Sequence, residues 1–160
     1  MIVWVTKALI LAIHDRQLAE HGGRGGVRDE ALLDAVLARP QQLLASGDPP
    51  PDLAALAAGL AFGLARHAPF IDGNARTAQV GYRVFLALND CRFTASEEDK
   101  YITLLSLAEG HVDEDEFAAW LRRYIALAPG HRVNESRARY GRRAPPTSGA
   151  PSSTAAKESP

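Results

Sequence analysis

The stretch His67-Ala68-Pro69-Phe70-Ile71-Asp72-Gly73-Asn74-Ala75-Arg76-Thr77-Ala78 concentrates residue types that handle phosphate. Asp72 offers hard carboxylate oxygens suited to Mg²⁺, an ion that keeps several waters and is held by one or two carboxylates together with phosphates. Gly73 lets the backbone approach an anion, and a helix starting near Asn74 would present free N–H groups and the positive end of its dipole. Arg76, in the first turn of that helix, opposes the macrodipole, so an anion beside it would relieve the conflict. Read this way, Asp72, Gly73, Asn74 and Arg76 form a cradle for a magnesium-bound phosphate. Asp-Gly-Asn is equally a common turn and N-cap sequence, and the short motif alone leaves both readings open.

Such a loop needs rigid elements on either side. Leu9, Ile10, Ala12, Ile13, Leu18 and Ala19 recur with helical spacing, which predicts a helix over about 6–20 stopped by Gly22-Gly23. After a glycine-rich loop, a second helix starts at Arg28-Asp29-Glu30 and carries Leu32, Leu33, Val36 and Leu37. It is expected to end at Arg39-Pro40, because proline biases its predecessor away from helix. Gly47-Asp48-Pro49-Pro50-Pro51 is a linker, and Asp52 can cap a third helix with Leu53, Leu56, Ala57, Leu60, Ala61 and Leu64 on one face. Alanine-rich and containing Gly59 and Gly63, this helix is predicted to be central and closely packed. A fourth helix spans 75–88 and closes at Asn89-Asp90. Thr94 with Glu97, and Asp113 with Glu116, have capping-box spacing for two more. The expectation is an all-α compact bundle of about six helices with essentially no sheet, only Ile2–Val5 hinting at alternation.

With 160 residues, 46% of them hydrophobic, the chain suits one domain with a real core. The single cysteine, Cys91, has no internal partner, which points to a reducing compartment. No basic leader, cleavage site or run of 18 apolar residues is present, so a cytoplasmic chain with no membrane contact is expected. The net charge of −1 hides a split: residues 128–160 carry five arginines and one lysine against two glutamates. Residues 1–127 are therefore expected to form the acidic domain. Residues 128–160 read as a basic, Pro/Ser/Arg-rich disordered tail, and the core domain as making no direct nucleic-acid contact. His14 and His21, seven apart without carboxylate or cysteine support, read as surface histidines. Arg28 either leans toward the phosphate cradle or simply starts a helix. Asp113-Glu114-Asp115-Glu116 lacks calcium-loop spacing and reads as an acidic first helical turn.

Pro69-Phe70-Ile71-Asp72-Gly73-Asn74-Ala75-Arg76 resembles the Fic signature His-Pro-Phe-x-Asp-Gly-Asn-x-Arg, and Thr77-Ala78 continues it as in the death-on-curing (Doc) toxin branch of the Fic/Doc superfamily. Further stretches are similar to that branch: Ile13-His14-Asp15, Gly22-Gly23 with Gly26-Val27-Arg28-Asp29, Leu32-Leu33, Ala38-Arg39-Pro40, Phe85-Leu86-x-Leu88-Asn89, and Leu107-Ala108-Glu109-Gly110 through Trp120-Leu121. The resemblance covers about residues 5–125. It implies a compact all-helical Fic fold, and a type II toxin–antitoxin system whose toxin uses ATP with Mg²⁺ to phosphorylate a protein hydroxyl, a translation elongation factor being the family's target. It also implies a Phd-like antitoxin whose disordered C-terminal segment folds into a groove on this domain. On this resemblance Asp72 takes the metal, while Gly73, Asn74, Ala75 and Arg76 take the nucleotide.

Two positions depart from the pattern. The family's catalytic histidine, immediately before Pro-Phe, is here Ala68, and Ala75 replaces the toxin branch's lysine or the glycine of nucleotide-transferring Fic proteins. His67 lies one residue early and, if helical, points about 100° away. Three readings stay open: an engineered inactive toxin, a natural member that binds its antitoxin without turnover, or an active enzyme that uses His67 as base and transfers AMP. The inhibitory Fic motif is also absent, since Leu105 stands where a Ser or Thr would precede Glu109-Gly110, so inhibition is expected in trans.

Overall fold

The computed structural model describes residues 1–127, so the expected tail at 128–160 lies outside the described residues. Six helices and two short strands follow in chain order: α1 (Lys7–His21), α2 (Glu30–Ser46), α3 (Leu53–Arg66), α4 (Asn74–Leu88), β1 (Cys91–Phe93), α5 (Glu97–Glu109), α6 (Glu114–Tyr124) and β2 (Ile125–Leu127). The all-α expectation holds. No helix among the described residues is long and apolar enough to cross a membrane.

α3 is the core, as its all-round apolar sequence predicts. Ala54, Leu56, Ala57, Ala58, Leu60, Ala61 and Leu64 are buried, and α2, α4, α5 and α6 all pack on it. Its two glycines, four residues apart, form the groove that receives α2. A Cβ at Gly63 would sit 2.7 Å from Val36 Cγ1, and one at Gly59 would lie 3.8 Å from Pro40 Cγ. The N-cap is Asp52, whose carboxylate accepts from Ala55 N at 2.9 Å and also receives Arg122 of α6 in a two-pronged pair at 2.7 and 2.9 Å. One residue thus starts the core helix and docks the last one on it.

Three local expectations fail, each for a physical reason. α2 does not end at Pro40 but runs through it to Ser46. An interior proline costs about 3 kcal/mol in a helix, yet Pro40 and Val36 are buried against the glycine groove of α3. Burial of such side chains contributes a similar amount. Thr94 does not cap α5: its N–H and its hydroxyl both donate to Tyr124 O, at 2.8 and 3.0 Å, and Ser96 is the cap, accepting from Asp99 N. The third miss is the sheet. β1 pairs antiparallel with β2, Cys91 opposite Leu127 and Phe93 opposite Ile125, and three-residue strands offer no period to read. Ile2–Val5 forms no strand; Asn89 holds it instead, accepting from Val3 N at 2.8 Å and donating to Val3 O at 2.9 Å.

The capping box Asp113–Glu116 is present in full, and the acidic run is the first turn of α6. Phe117 and Trp120 of α6 join Tyr82 and Phe93 in an edge-to-face cluster with ring separations of 5.3–5.8 Å. This cluster holds the sheet and α6 against α4, so the start of α4 projects from a fixed frame.

Candidate functional site

The loop between α3 and α4 carries backbone groups that need partners, and the glycine-rich loop before α2 supplies them. Pro69 O accepts from Arg28 N at 2.8 Å and Asp29 N at 3.2 Å, Ile71 N donates to Gly26 O at 3.0 Å, and Val27 bridges Phe70. The Arg28 guanidinium donates to His67 O at 2.9 Å and to Ala68 O at 2.9 and 2.6 Å. Ala68 is left-handed, with φ +50°. That conformation is uncommon for a residue with a side chain, and histidine is among the types enriched there. The backbone at 68 is therefore one that the family's histidine suits better than alanine does.

His14 is buried, not on the surface as its sequence context led us to expect. Its ring stacks on Phe70 at 3.8 Å and Nε2–H donates to Asp72 O at 2.8 Å. A carbonyl can only accept, which fixes the tautomer. The missed signal was positional: four residues from both Ile10 and Leu18, His14 shares the apolar stripe of α1. Asn74 closes the loop from the other side, accepting from Phe70 N at 2.9 Å and donating to Phe70 O at 3.0 Å. Its side chain is thus engaged in bracing the loop.

Asp72 and Gly73 sit where these braces meet. Asp72 is exposed; one carboxylate oxygen accepts from Arg24 N at 3.2 Å and the other from Gly73 N at 3.0 Å. These two backbone donors, then the charges of Arg76 and Arg24, hold its carboxyl below the ordinary 3.8. Gly73 adopts φ +76°, and no side chain caps the helix that follows. A Cβ there would crowd Leu18 at 3.3 Å.

A pocket of about 530 Å³ opens at this helix start. Asp72, Gly73, Asn74, Ala75 and Arg76 line one end, Gln17 and His21 come from α1, and Gln79, Val80, Tyr101, Leu104 and Leu105 complete it from α4 and α5. The five residues expected from 72–76 therefore do converge. His67 and Ala68 are not among the lining residues: His67 is exposed and lies edge-on to Phe62 at 5.3 Å. Arg28 does not line the pocket, and the plainer expectation holds, since Arg28-Asp29 leads into α2 with Asp29 as its N-cap; in addition the Arg28 side chain clamps the loop backbone. The walls from α1 and α5 carry no motif that sequence could flag.

Among the described residues no three His, Cys, Asp or Glu side chains converge on a metal position. A cation here would rest on the one Asp72 carboxylate and on ligand phosphates, the arrangement Mg²⁺ favours. The donor set thus fits a magnesium-bound phosphate.

The family model described as Fic/DOC family matches residues 4–86, a span holding both loops and all but the end of α4. The chain belongs to the Fic/Doc family. Toxin Doc from Mycolicibacterium smegmatis is 38% identical to it over 109 residues, which is 67% of this chain and 84% of the relative. The Doc-type resemblance expected from the sequence therefore stands. The matched span contains the 72–76 end of the pocket, whereas Tyr101, Leu104 and Leu105 lie beyond it.

Proposed function

We propose that this chain is the toxin of a toxin–antitoxin system whose pocket at the start of α4 binds ATP with Mg²⁺ and whose acceptor is a hydroxyl of a translation elongation factor. The observation that carries this reading is the convergence of an ionised Asp72, a left-handed Gly73, an uncapped helix N-terminus and Arg76 on one pocket. Asp72 would hold the metal, the first-turn N–H groups would receive phosphate oxygens, and Arg76 would neutralise a further charge. When bound, Mg²⁺ would offset charge on the transferring phosphoryl group. Ala68 supplies no proton acceptor, and losing a general base costs about 10²–10⁴-fold. The chain therefore binds without appreciable turnover. The relative's name supports the toxin assignment and with it an antitoxin as partner in trans, which we take to be Phd-like on the sequence resemblance.

Isothermal titration of ATP with Mg²⁺ tests the cradle. Saturable binding that Asp72→Ala removes is the expected result; absence of binding in the unaltered chain would end the nucleotide reading. Restoring the base by Ala68→His, alone and with Ala75→Lys, should yield ATP-dependent modification of an elongation factor or growth arrest. If both fail in a chain that still binds ATP, a purely binding role replaces the enzymatic one.

A further inference from the structure

His14 is not among the residues that line the pocket, yet it holds one edge of a peptide whose other edge holds the Asp72 carboxylate. Its ring is buried and lies flat on Phe70, 3.8 Å away at 9°, which fixes the direction in which Nε2–H points. That N–H donates to Asp72 O at 2.8 Å. Asp72 O and Gly73 N belong to one trans peptide, and in a planar trans peptide the carbonyl and the N–H point to opposite sides. With the carbonyl turned to His14, the N–H is turned the other way, where it donates to Asp72 Oδ1 at 3.0 Å. One donor on α1 therefore sets the orientation of both edges.

The glycine does not fix this orientation by itself. Gly73 stands at φ +76°, and turning the 72–73 peptide over with its flanking Cα atoms in place would carry φ to about −100°, which glycine adopts as readily. In that orientation the N–H leaves Oδ1, and a carbonyl oxygen faces the carboxylate instead. Arg24 N holds the other oxygen, Oδ2, at 3.2 Å, but it has no hold on the peptide. We infer that His14 is the positioning residue of the site: by pinning the 72–73 peptide it aims the Asp72 carboxylate before any ligand arrives. This rests on the nucleotide reading given above and deepens it, because the carboxylate so aimed is the one assigned to Mg²⁺. Affinity for a magnesium-bound phosphate then depends on a buried ring outside the pocket, through the fraction of chains whose peptide is correctly turned.

Two variants separate the hydrogen bond from the packing. His14→Phe keeps a flat ring for Phe70 and lacks the donor, whereas His14→Gln keeps an N–H donor and lacks the ring. Amide hydrogen exchange is read by NMR in the ligand-free full chain, and Mg²⁺·ATP is then titrated into each protein. In His14→Phe, Gly73 N–H should exchange about fivefold faster, the scale of one lost hydrogen bond, and affinity for Mg²⁺·ATP should fall by up to the same factor. Phe70 N–H and Ile71 N–H, bonded to Asn74 Oδ1 and Gly26 O, serve as internal controls and should not change. His14→Gln should restore both readouts. A role in packing alone predicts the reverse order, with His14→Gln worse than His14→Phe, and a loop merely loosened predicts that Phe70 and Ile71 speed up along with Gly73. Either result overturns the inference. Unchanged Gly73 exchange and unchanged affinity in His14→Phe also overturn it, and leave the nucleotide reading standing. No binding of Mg²⁺·ATP by the unaltered chain ends the nucleotide reading and this inference with it.

Discussion

Arg28 is predicted to store strain at position 68, and a double-mutant cycle measures it. Its guanidinium makes three hydrogen bonds to His67 O and Ala68 O. The arginine is exposed and the freed carbonyls would hydrate, so these bonds together contribute about 2 kcal/mol. Against this, a left-handed alanine costs about 1 kcal/mol. Arg28→Ala removes the clamp and lets Ala68 relax, giving a net loss of about 1 kcal/mol, or roughly 3 °C in Tm for a chain this size. Ala68→Gly in the unaltered chain keeps the clamp and removes the strain, a gain of about 1 kcal/mol. In the Arg28→Ala background the glycine has no strain to relieve, and its added freedom in the unfolded chain makes it neutral or unfavourable. The two changes should therefore couple by about 1–2 kcal/mol in urea unfolding of the four proteins. Additive effects would refute the reasoning, because they would mean that the bonds from Pro69 O, Ile71 N and Asn74 hold residue 68 left-handed without Arg28.

Gly63→Ala should destabilise by about 1–3 kcal/mol despite the better helix propensity of alanine, because the new Cβ would meet Val36 Cγ1 at 2.7 Å; Val36→Ala in the same chain should recover part of the loss in urea melts. Asp72 has a folded pKa below its ordinary 3.8, so its contribution is present above that value and lost as pH falls through the lower folded one. Tm measured from pH 5 to pH 2 should accordingly fall more steeply in the unaltered chain than in Asp72→Asn, and parallel curves would contradict the assignment. The Cys91 thiol is buried and pushed up to about 12 by desolvation, so it should resist a thiol reagent at pH 8 in the folded chain and react fully in denaturant.

Much of the fold was legible because it is written in helical periods and caps. Thr6, Asp29, Asp52 and Asp113 each accept from the backbone N–H three residues on, at the starts of the helices where such residues are expected. What sequence missed depends on distant partners. Pro40 stays helical only because Gly59 and Gly63 open a groove for α2, and Thr94 leaves its capping spacing because Tyr124 O is within reach. β1 and β2 exist only as a pair. The 72–76 end of the pocket was legible because those residues are contiguous. Its other walls, from α1, the second turn of α4 and α5, required the packing to be known.

The same division separates the bracing of this loop from the side chain at 68. The loop is held by Arg28, His14, Asn74 and the backbone of the glycine-rich loop, and none of these contacts uses the side chain at 68. An alanine at 68 therefore leaves every one of these braces intact. Asp72 in turn is held in its ionised form by N–H groups of Arg24 and Gly73, again independent of residue 68. The contacts that set the geometry at Asp72 and Gly73 are thus independent of residue 68, so the proposed cradle does not depend on the proposed base.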